Sequence, residues 1–280
     1  MKMIYTVLFL AALGAGGWWL WESNSQLSTV VGQYIDNGEI QTLQARYTVE
    51  KVMEQHEKEL LGDGERSYHK SELKFHPYAM MDVKYSAPDR KTKEGVILWG
   101  LVDGEMVVNC ETWEKTHGFE DTINASANRN DFKVLNALAK NKGKLSMESL
   151  QSELQVEQDV LQPWLESVKQ KHLVVQKGND VQLHFQNPKL FVTPQSKISE
   201  CLVTKPFSHA QKISRRYSTS QIEKIALAAF GQDFTIRTTK EVFLPVYSIE
   251  IMNPDGSILT TYWNAVNGKR ITPHYLSQVE

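Results

Sequence analysis

The stretch from Asp131 to Gln186 constrains the fold most, because three helical patterns and two strand patterns follow one another there. Apolar residues recur at helical spacing in three segments, at Phe132, Leu135, Leu138 and Ala139, at Leu150 and Leu154, and at Val160, Leu161, Leu165 and Val168. Gly143 ends the first helix, and Ser146 can cap the second. The runs 173–176 and 181–185 are strand-like and are joined through Gly178, Asn179 and Asp180, which predicts a hairpin.

This order of three helices and a hairpin resembles the winged-helix family over residues 130–186. The resemblance implies a fold and no particular activity. DNA-binding members need cations for phosphates and polar residues at the front of the recognition helix. Here that front reads Glu157-Gln158-Asp159, and residues 132–186 hold seven Lys, no Arg and six acidic residues, a net charge of +1. The charge therefore argues against a nucleic-acid partner.

The amino terminus predicts a membrane anchor within residues 1–25. Ile4 to Trp21 is an uncharged apolar stretch of 18 residues, preceded by Lys2 and followed by Glu22. At ~1.5 Å per residue it spans roughly 27 Å, enough for a hydrocarbon core. The basic side predicts a cytoplasmic amino terminus, so we expect a single-pass bacterial inner-membrane protein with its bulk in the periplasm. A signal peptide cleaved near Ala15 is the alternative.

Two segments flanking the central module resemble each other, from Tyr47 to Val107 and from Tyr217 to Ile271. Each has a helix ending in glycine, then strands, then the pattern Trp-x-x-Val-[Asp/Asn]-Gly, which begins at Trp99 and at Trp263. This pattern predicts, twice, a small antiparallel sheet with one helix lying across it. The alternative is that Trp, Val and Asn-Gly recur by chance in two ordinary hairpins.

The carboxy-terminal copy resembles the PepSY family over residues 211–275. A helix is followed by Tyr247-x-Ile249-x-Ile251, then Asp255-Gly256, then a strand ending at Asn264. The family commonly has an acidic residue where Asn264 stands, so the match is partial. The resemblance implies a non-catalytic module outside the cytoplasm or at membranes that binds or inhibits peptidases or assists secreted partners.

The sequence offers interaction residues rather than catalytic ones. The candidates are Trp164, Gln158 and Gln162 on the third helix of the central module, and Lys212, Arg215 and Arg216 in a basic segment. For each candidate, a purely structural role is the alternative, since Trp164 could belong to the core and the basic residues to a solvated loop. Cys110 and Cys201 could form a disulfide in the periplasm or remain two buried thiols. No catalytic residue, cofactor or metal ligand is predicted, because the chain carries none of the corresponding motifs.

The sequence thus predicts an α+β protein with an amino-terminal membrane helix and a central winged helix-turn-helix flanked by two small PepSY-like units. The predicted boundaries are 1–25 for the anchor, 26–46 for an amphipathic connector, 47–115 for the first αβ unit, 130–186 for the winged helix, 187–210 for a linker and 211–275 for the second unit. We expect a non-enzymatic binding or scaffolding protein with a protein partner and no small-molecule substrate. The alternatives are a membrane-bound winged-helix transcription regulator and a PepSY-type peptidase inhibitor.

Overall fold

The computed structural model describes residues 39–62, 64–87, 89, 91–198, 202–206 and 210–271, which form a mixed α+β fold. The helices of these residues are α1 Val49–Gln55, α2 Glu57–Leu61, α3 Phe119–Asn124, α4 Arg129–Lys140, α5 Met147–Leu154, α6 Gln158–Gln170 and α7 Thr219–Phe230. None of the helices in the described part of the chain has the length and apolar character needed to cross a membrane. The predicted anchor from Ile4 to Trp21 and most of the predicted connector lie outside the described residues.

The strands of the described residues fall mostly in consecutive groups between these helices. They are β1 Glu39–Leu43, β2 Ser67–Ser86, β3 Thr92–Gly100, β4 Met106–Asn109, β5 Glu114–Lys115, β6 Lys144–Ser146, β7 Val174–Lys177, β8 Asp180–Leu183, β9 Leu202–Pro206, β10 Gln211–Lys212, β11 Thr235–Met252, β12 Ile258–Asn264 and β13 Arg270–Ile271. β1 and β9 lie in segments that the sequence assigned to a connector and a linker. Pairing with distant strands therefore orders part of both segments.

The chain divides into two compact units that interleave in sequence. Unit 1 takes the described residues within 39–77, 202–218 and 243–271, and unit 2 those within 78–198 and 219–242. The long strands β2 and β11 each give one half to each unit. The predicted boundaries 47–115 and 211–275 follow the repeat in the sequence and stay a prediction about that repeat.

Unit 1 is built on antiparallel pairing of β11 with β12, which runs from Val246 opposite Asn264 to Met252 opposite Ile258. β13 continues this sheet beside β12, while β1 pairs in parallel with β11 and antiparallel with β9. Helices α1 and α2 contribute Val52 and Leu60 to one buried cluster with Ile249, Ile251 and Trp263. This cluster is a hydrophobic core of unit 1.

Unit 2 contains a meander of β2, β3, β4 and β5 and a separate three-stranded sheet in the order β6-β8-β7. Its aromatic core joins Trp99 of β3, Phe119 of α3, Phe132 of α4 and Phe230 of α7, with ring centroids 4.7 to 6.4 Å apart. Phe119 links the β-meander to the helices, because its ring contacts the other three.

The residues between α4 and β8 follow the pattern predicted for them. Ser146 caps α5 by accepting a hydrogen bond from the Ser149 backbone N–H at 3.2 Å, and the hairpin of β7 and β8 turns at Gly178, where φ is +64°. Both predictions are confirmed. β6, which pairs with β8, was not predicted. The placement of Val160 in the apolar stripe is wrong, because 47% of its surface is exposed in the first turn of α6.

Asp131 joins the two ends of the three-helix segment. Its carboxylate is fully buried and accepts hydrogen bonds from the Asn128 backbone N–H at 2.7 Å and the Ser167 hydroxyl at 2.7 Å. The Lys171 ammonium lies 2.5 Å from the same carboxylate. The Asn128 side chain accepts from the Asp131 N–H in return, so this pair forms a capping box at the start of α4.

The two Trp-x-x-Val-[Asp/Asn]-Gly segments form the same turn. In unit 2, the Gly100 N–H donates to the Glu105 carbonyl at 2.9 Å, and the Gly104 N–H donates to the Gly100 carbonyl at 3.2 Å. In unit 1, Asn264 and Lys269 repeat the first bond at 2.9 Å, and Gly268 repeats the second at 2.8 Å. The φ angles of Gly104 and Gly268 are +69° and +70°. The two copies therefore share backbone geometry at this turn as well as sequence.

The helices of the two copies pack on strands of the other copy. The first copy supplies Val52 of α1 and Leu60 of α2 to the core cluster of unit 1, where Ile249, Ile251 and Trp263 come from strands of the second copy. Tyr68 of β2, from the first copy, packs against the same cluster. The helix of the second copy supplies Phe230, whose ring centroid lies 6.4 Å from that of Trp99 in the first copy. The repeat pattern predicts that each helix lies across its own sheet, whereas the partners of Val52, Leu60 and Phe230 include strand residues of the other copy. Helical periodicity identifies an apolar face and does not specify the strands that cover it.

Candidate functional site

A partly buried charged cluster follows the turn after β3 in unit 2. The Lys115 ammonium on β5 pairs with the Asp103 carboxylate and donates to the Tyr78 hydroxyl at 3.0 Å. Burial alone would lower the pKa of Lys115, but the Asp103 carboxylate and Tyr78 hydroxyl stabilise its charged form and leave the pKa raised. Burial raises the pKa of Tyr78. A Cβ at Gly100 would lie 2.0 Å from Asp103 Oδ1, so glycine makes room for this carboxylate.

Glu105 is a buried carboxylate beside that turn. It accepts hydrogen bonds from the Thr116 hydroxyl at 2.6 Å and from the backbone N–H groups of Gly118 at 2.9 Å and Glu120 at 3.1 Å. These two N–H groups begin α3, so Glu105 caps a helix from a distant position in the sequence. Burial raises the pKa of Glu105 to about 7, against the opposing effect of these hydrogen bonds.

This raised pKa makes the stability of the chain depend on pH. Between the ordinary value of 4.5 and about 7, the folded state holds a proton that the unfolded state has lost. The contribution of Glu105 to the free energy of unfolding is therefore fully present below pH 4.5 and is lost as the pH rises through about 7. A shift of this size corresponds to about 3 kcal/mol.

We expect Glu105→Gln to remove that pH dependence. The difference in unfolding free energy between the natural chain and the variant should change by about 3 kcal/mol between pH 4.5 and 8, with the natural chain losing stability as pH rises. Denaturant unfolding at four pH values measures it, with the exposed Glu153→Gln as the control for removing one charge. If the unfolding free energies of the natural chain and of Glu105→Gln change in parallel with pH, the raised pKa of Glu105 is contradicted.

The three candidate residues on the third helix lie on α6. Trp164 is half-buried, and the Lys133 ammonium lies 4.3 Å from its ring centroid. The Gln162 amide donates to the Glu166 carboxylate at 3.1 Å, and Gln158 is exposed in the first turn. The helix presents these polar side chains to solvent, and their role in binding stays a prediction.

The basic candidates lie in unit 1, where aromatic rings accompany two of them. The Lys212 ammonium on β10 lies 4.9 Å from the centroid of the Phe243 ring, and the Arg216 guanidinium lies 5.2 Å from that of Tyr217. Arg215 is half-buried. Cation–π contacts of this kind hold the side chains against the unit. The segment is therefore ordered through packing, and its binding role stays a prediction.

The cysteine prediction concerns one described and one undescribed residue. Cys110 is buried at the end of β4, and its backbone N–H donates to the Lys197 carbonyl at 3.0 Å. Cys201 lies outside the described residues, so a disulfide between the two stays a prediction. Across the described part of the chain, no three His, Cys, Asp or Glu side chains form a group that could hold a metal ion.

An apolar cleft of about 890 Å³ in unit 2 was not predicted. Its walls are the end of β2, the segment Leu190–Pro194 and the end of α7, with Ala87 and Phe230 among the apolar lining residues. Phe191 stands at this cleft with 63% of its surface exposed, the largest exposed fraction among the large apolar residues of the described chain. We call this feature the Phe191 cleft. Among the described residues, Asp233 is the one charged residue that lines it.

The Phe191 segment is held at both ends. His117 and Lys189 exchange two backbone hydrogen bonds, of 3.0 and 3.4 Å, immediately before it. Immediately after it, the Ser196 N–H donates to the Val96 carbonyl at 2.8 Å. Tyr85 also donates to the Gln195 side chain at 2.8 Å. Phe191 is therefore displayed by a fixed backbone, which reduces the conformational entropy that a binding partner must overcome.

The carboxylates of Asp103 and Glu105 have a structural role, whereas the Phe191 cleft can bind another molecule. Asp103 and Glu105 are engaged by protein donors and stabilise turns and a helix start. The Phe191 cleft presents apolar surface to solvent, which is typical of sites that contact other molecules. The run Leu190-Phe191-Val192 inside the predicted linker was the available sequence signal for this cleft.

Comparisons with known proteins gave no match to any family model, curated protein or solved structure.

Proposed function

We propose that this protein is a membrane-anchored, non-enzymatic binding or scaffolding protein that holds a protein partner at the Phe191 cleft. The observation that carries the proposal is the exposure of Phe191 on an anchored segment beside an apolar cleft of about 890 Å³. Burial of one such aromatic side chain in a partner contributes about 1.5 to 3 kcal/mol. Aromatic anchors of this kind often dominate binding energy in protein interfaces.

The central module is proposed to be a winged helix that does not bind DNA. The order α4, β6, α5, α6 and the hairpin of β7 and β8 supports the winged-helix assignment. α6 would be its recognition helix, and its first turn exposes Asp159 after the exposed cap residue Glu157. Acidic residues at that position repel phosphates, which opposes duplex binding.

The two repeated segments are proposed to be PepSY-like. Their common register supports this, since Ala79 lies opposite Trp99 and Tyr247 lies opposite Trp263 before the same turn. Asn264 still departs from the acidic residue common in the family. A peptidase inhibitor or regulator is the function that this resemblance suggests, and a peptidase is accordingly one candidate class of partner.

The location in the membrane, with the bulk of the chain outside the cytoplasm, is proposed from the Ile4–Trp21 stretch and the preceding Lys2. The competing function, a membrane-bound transcription regulator, requires the bulk of the chain to be in the cytoplasm. Reporters fused to the carboxy terminus separate the two possibilities. A reporter active only outside the cytoplasm agrees with the proposal, whereas a reporter active only in the cytoplasm would favour the regulator.

Phe191→Asp is expected to weaken binding of the protein partner about a hundredfold, because it removes the apolar anchor and places a charge in an apolar interface. The measurement is the affinity of the partner recovered by crosslinking. Val175→Asp is the matched control, since Val175 is 51% exposed in unit 2 and does not line the cleft. Equal affinity for both variants would contradict the assignment of the binding site.

A further inference from the structure

Unit 2 contains a second cleft, of about 610 Å³, beside the other end of α7. Its lining comes from the end of α3, the turn before α4 and the face of α7 that includes Ile225 and Ala228. Ile123 and Ile225 are buried in its wall, and Leu227 is 39% exposed at the cleft. We call it the α7 cleft. Its volume falls within the range of small-molecule sites.

The charges around the α7 cleft have one sign. Arg129 and Lys224 line it with exposed side chains, and within the described part of the chain no carboxylate is among the lining residues. Asp131, in the first turn of α4, is buried and paired with Lys171. The Arg129 guanidinium makes one long hydrogen bond of 3.4 Å to the Gly231 carbonyl, which leaves its other donors for a ligand. The cleft therefore suits an anionic group above an apolar body.

The cleft offers little to a peptide backbone. The backbone groups of the turn in its wall are already bonded, since the Ser126 and Ala127 N–H groups donate to the Ile123 and Thr122 carbonyls at 3.0 and 2.9 Å. The Ser126 carbonyl also accepts a hydrogen bond from the Lys171 ammonium at 3.2 Å. The Asn128 side-chain oxygen already accepts from the N–H groups of Asn130 and Asp131, at 2.8 and 3.1 Å. A bound peptide would leave many backbone groups unsatisfied, which is unfavourable when they are buried. A ligand with one anionic group and a hydrocarbon chain avoids this penalty.

We propose that the α7 cleft binds a free single-chain carboxylate amphiphile of the fatty-acid type. The carboxylate pairs with Arg129 and Lys224, and the hydrocarbon chain lies against Ile225, Leu227 and Ala228. This site is separate from the Phe191 cleft and does not depend on the protein-binding function.

Photolabelling of the full chain in a non-ionic detergent tests this site. The probe is dodecanoate carrying a diazirine on its chain, and mass spectrometry locates the adducts. We expect adducts within residues 123–129 and 221–228. Excess dodecanoate should compete with the label, whereas dodecylamine, with the opposite charge, should not. Adducts scattered over other surfaces, or equal competition by dodecylamine, would overturn the proposal.

Variants test whether Lys224 contacts the carboxylate of the ligand. Lys224→Gln should lower labelling about tenfold, which corresponds to loss of one charge-assisted contact. Lys177→Gln is the matched control, because Lys177 is an exposed lysine of unit 2 that does not line the cleft. Equal labelling of the two variants would overturn the proposal. Stronger competition by a peptide with an apolar carboxy-terminal residue than by dodecanoate would also overturn it, in favour of a protein ligand.

Discussion

Asp131→Ala is expected to lower the free energy of unfolding by about 3 to 5 kcal/mol, the range observed when one partner of a buried ion pair is removed. The carboxylate is fully buried and receives the Ser167 hydroxyl, the Asn128 N–H and the Lys171 ammonium. Alanine leaves those donors without their acceptor and removes half of the capping box of α4. The effect is large because two elements distant in sequence lose their connection together.

Asp180→Ala is the matched control for that variant. Asp180 also pairs with a lysine, Lys144, at 2.7 Å, but both side chains are about half exposed. A surface pair of this kind contributes about 0 to 1 kcal/mol. Denaturant unfolding of both variants gives the comparison. A loss for Asp131→Ala no larger than that for Asp180→Ala would contradict the burial of the Asp131 pair.

Trp263→Ala is expected to lower the free energy of unfolding by about 3 to 5 kcal/mol, because it removes a fully buried ring from the core of unit 1. The ring lies 4.2 Å from the His56 ring, between centroids, and its Nε1 donates to the Thr261 hydroxyl at 2.9 Å. His56 lies between α1 and α2 of the first copy, whereas Trp263 lies on β12 of the second. Their contact therefore reports the packing of a helix of one copy against a strand of the other, which we call helix exchange.

A double-mutant cycle measures this exchange. The pair His56→Ala and Trp263→Ala should show a coupling of about 0.5 to 3 kcal/mol, and so should the corresponding pair Phe230→Ala and Trp99→Ala. Helices packed on the strands of their own copies would instead couple His56 with Trp99. Additive effects within both expected pairs would contradict the exchanged packing.

Local signals in the sequence predicted many of the elements. Gly62 and Gly231 end the helices of the two copies with φ angles of +61° and +88°, as their positions after apolar stripes predict. Ser146 caps α5, and Gly178 turns the hairpin of β7 and β8. These features depend on a few neighbouring residues, so their physics is contained in a short stretch of sequence.

Features set by distant contacts were not predictable in the same way. The exchange of helices depends on which apolar faces meet, and both copies have similar faces. Val160 fits the helical stripe of α6 but lies in its exposed first turn. Phe191 sits in a segment that resembles a linker, and its environment depends on residues of β2 and α7. Glu105 caps α3 from 13 positions before Gly118, beyond any local capping pattern.

A photoreactive phenylalanine analogue at position 191 of the full chain, activated in living cells, tests the central claim most directly. We expect one defined protein to crosslink at position 191, and the purified form of that protein to bind the natural chain more tightly than Phe191→Asp. The same analogue at Val175 should not capture it. An absence of crosslinks at position 191, or capture of the same proteins at both positions, would contradict a partner site at the Phe191 cleft.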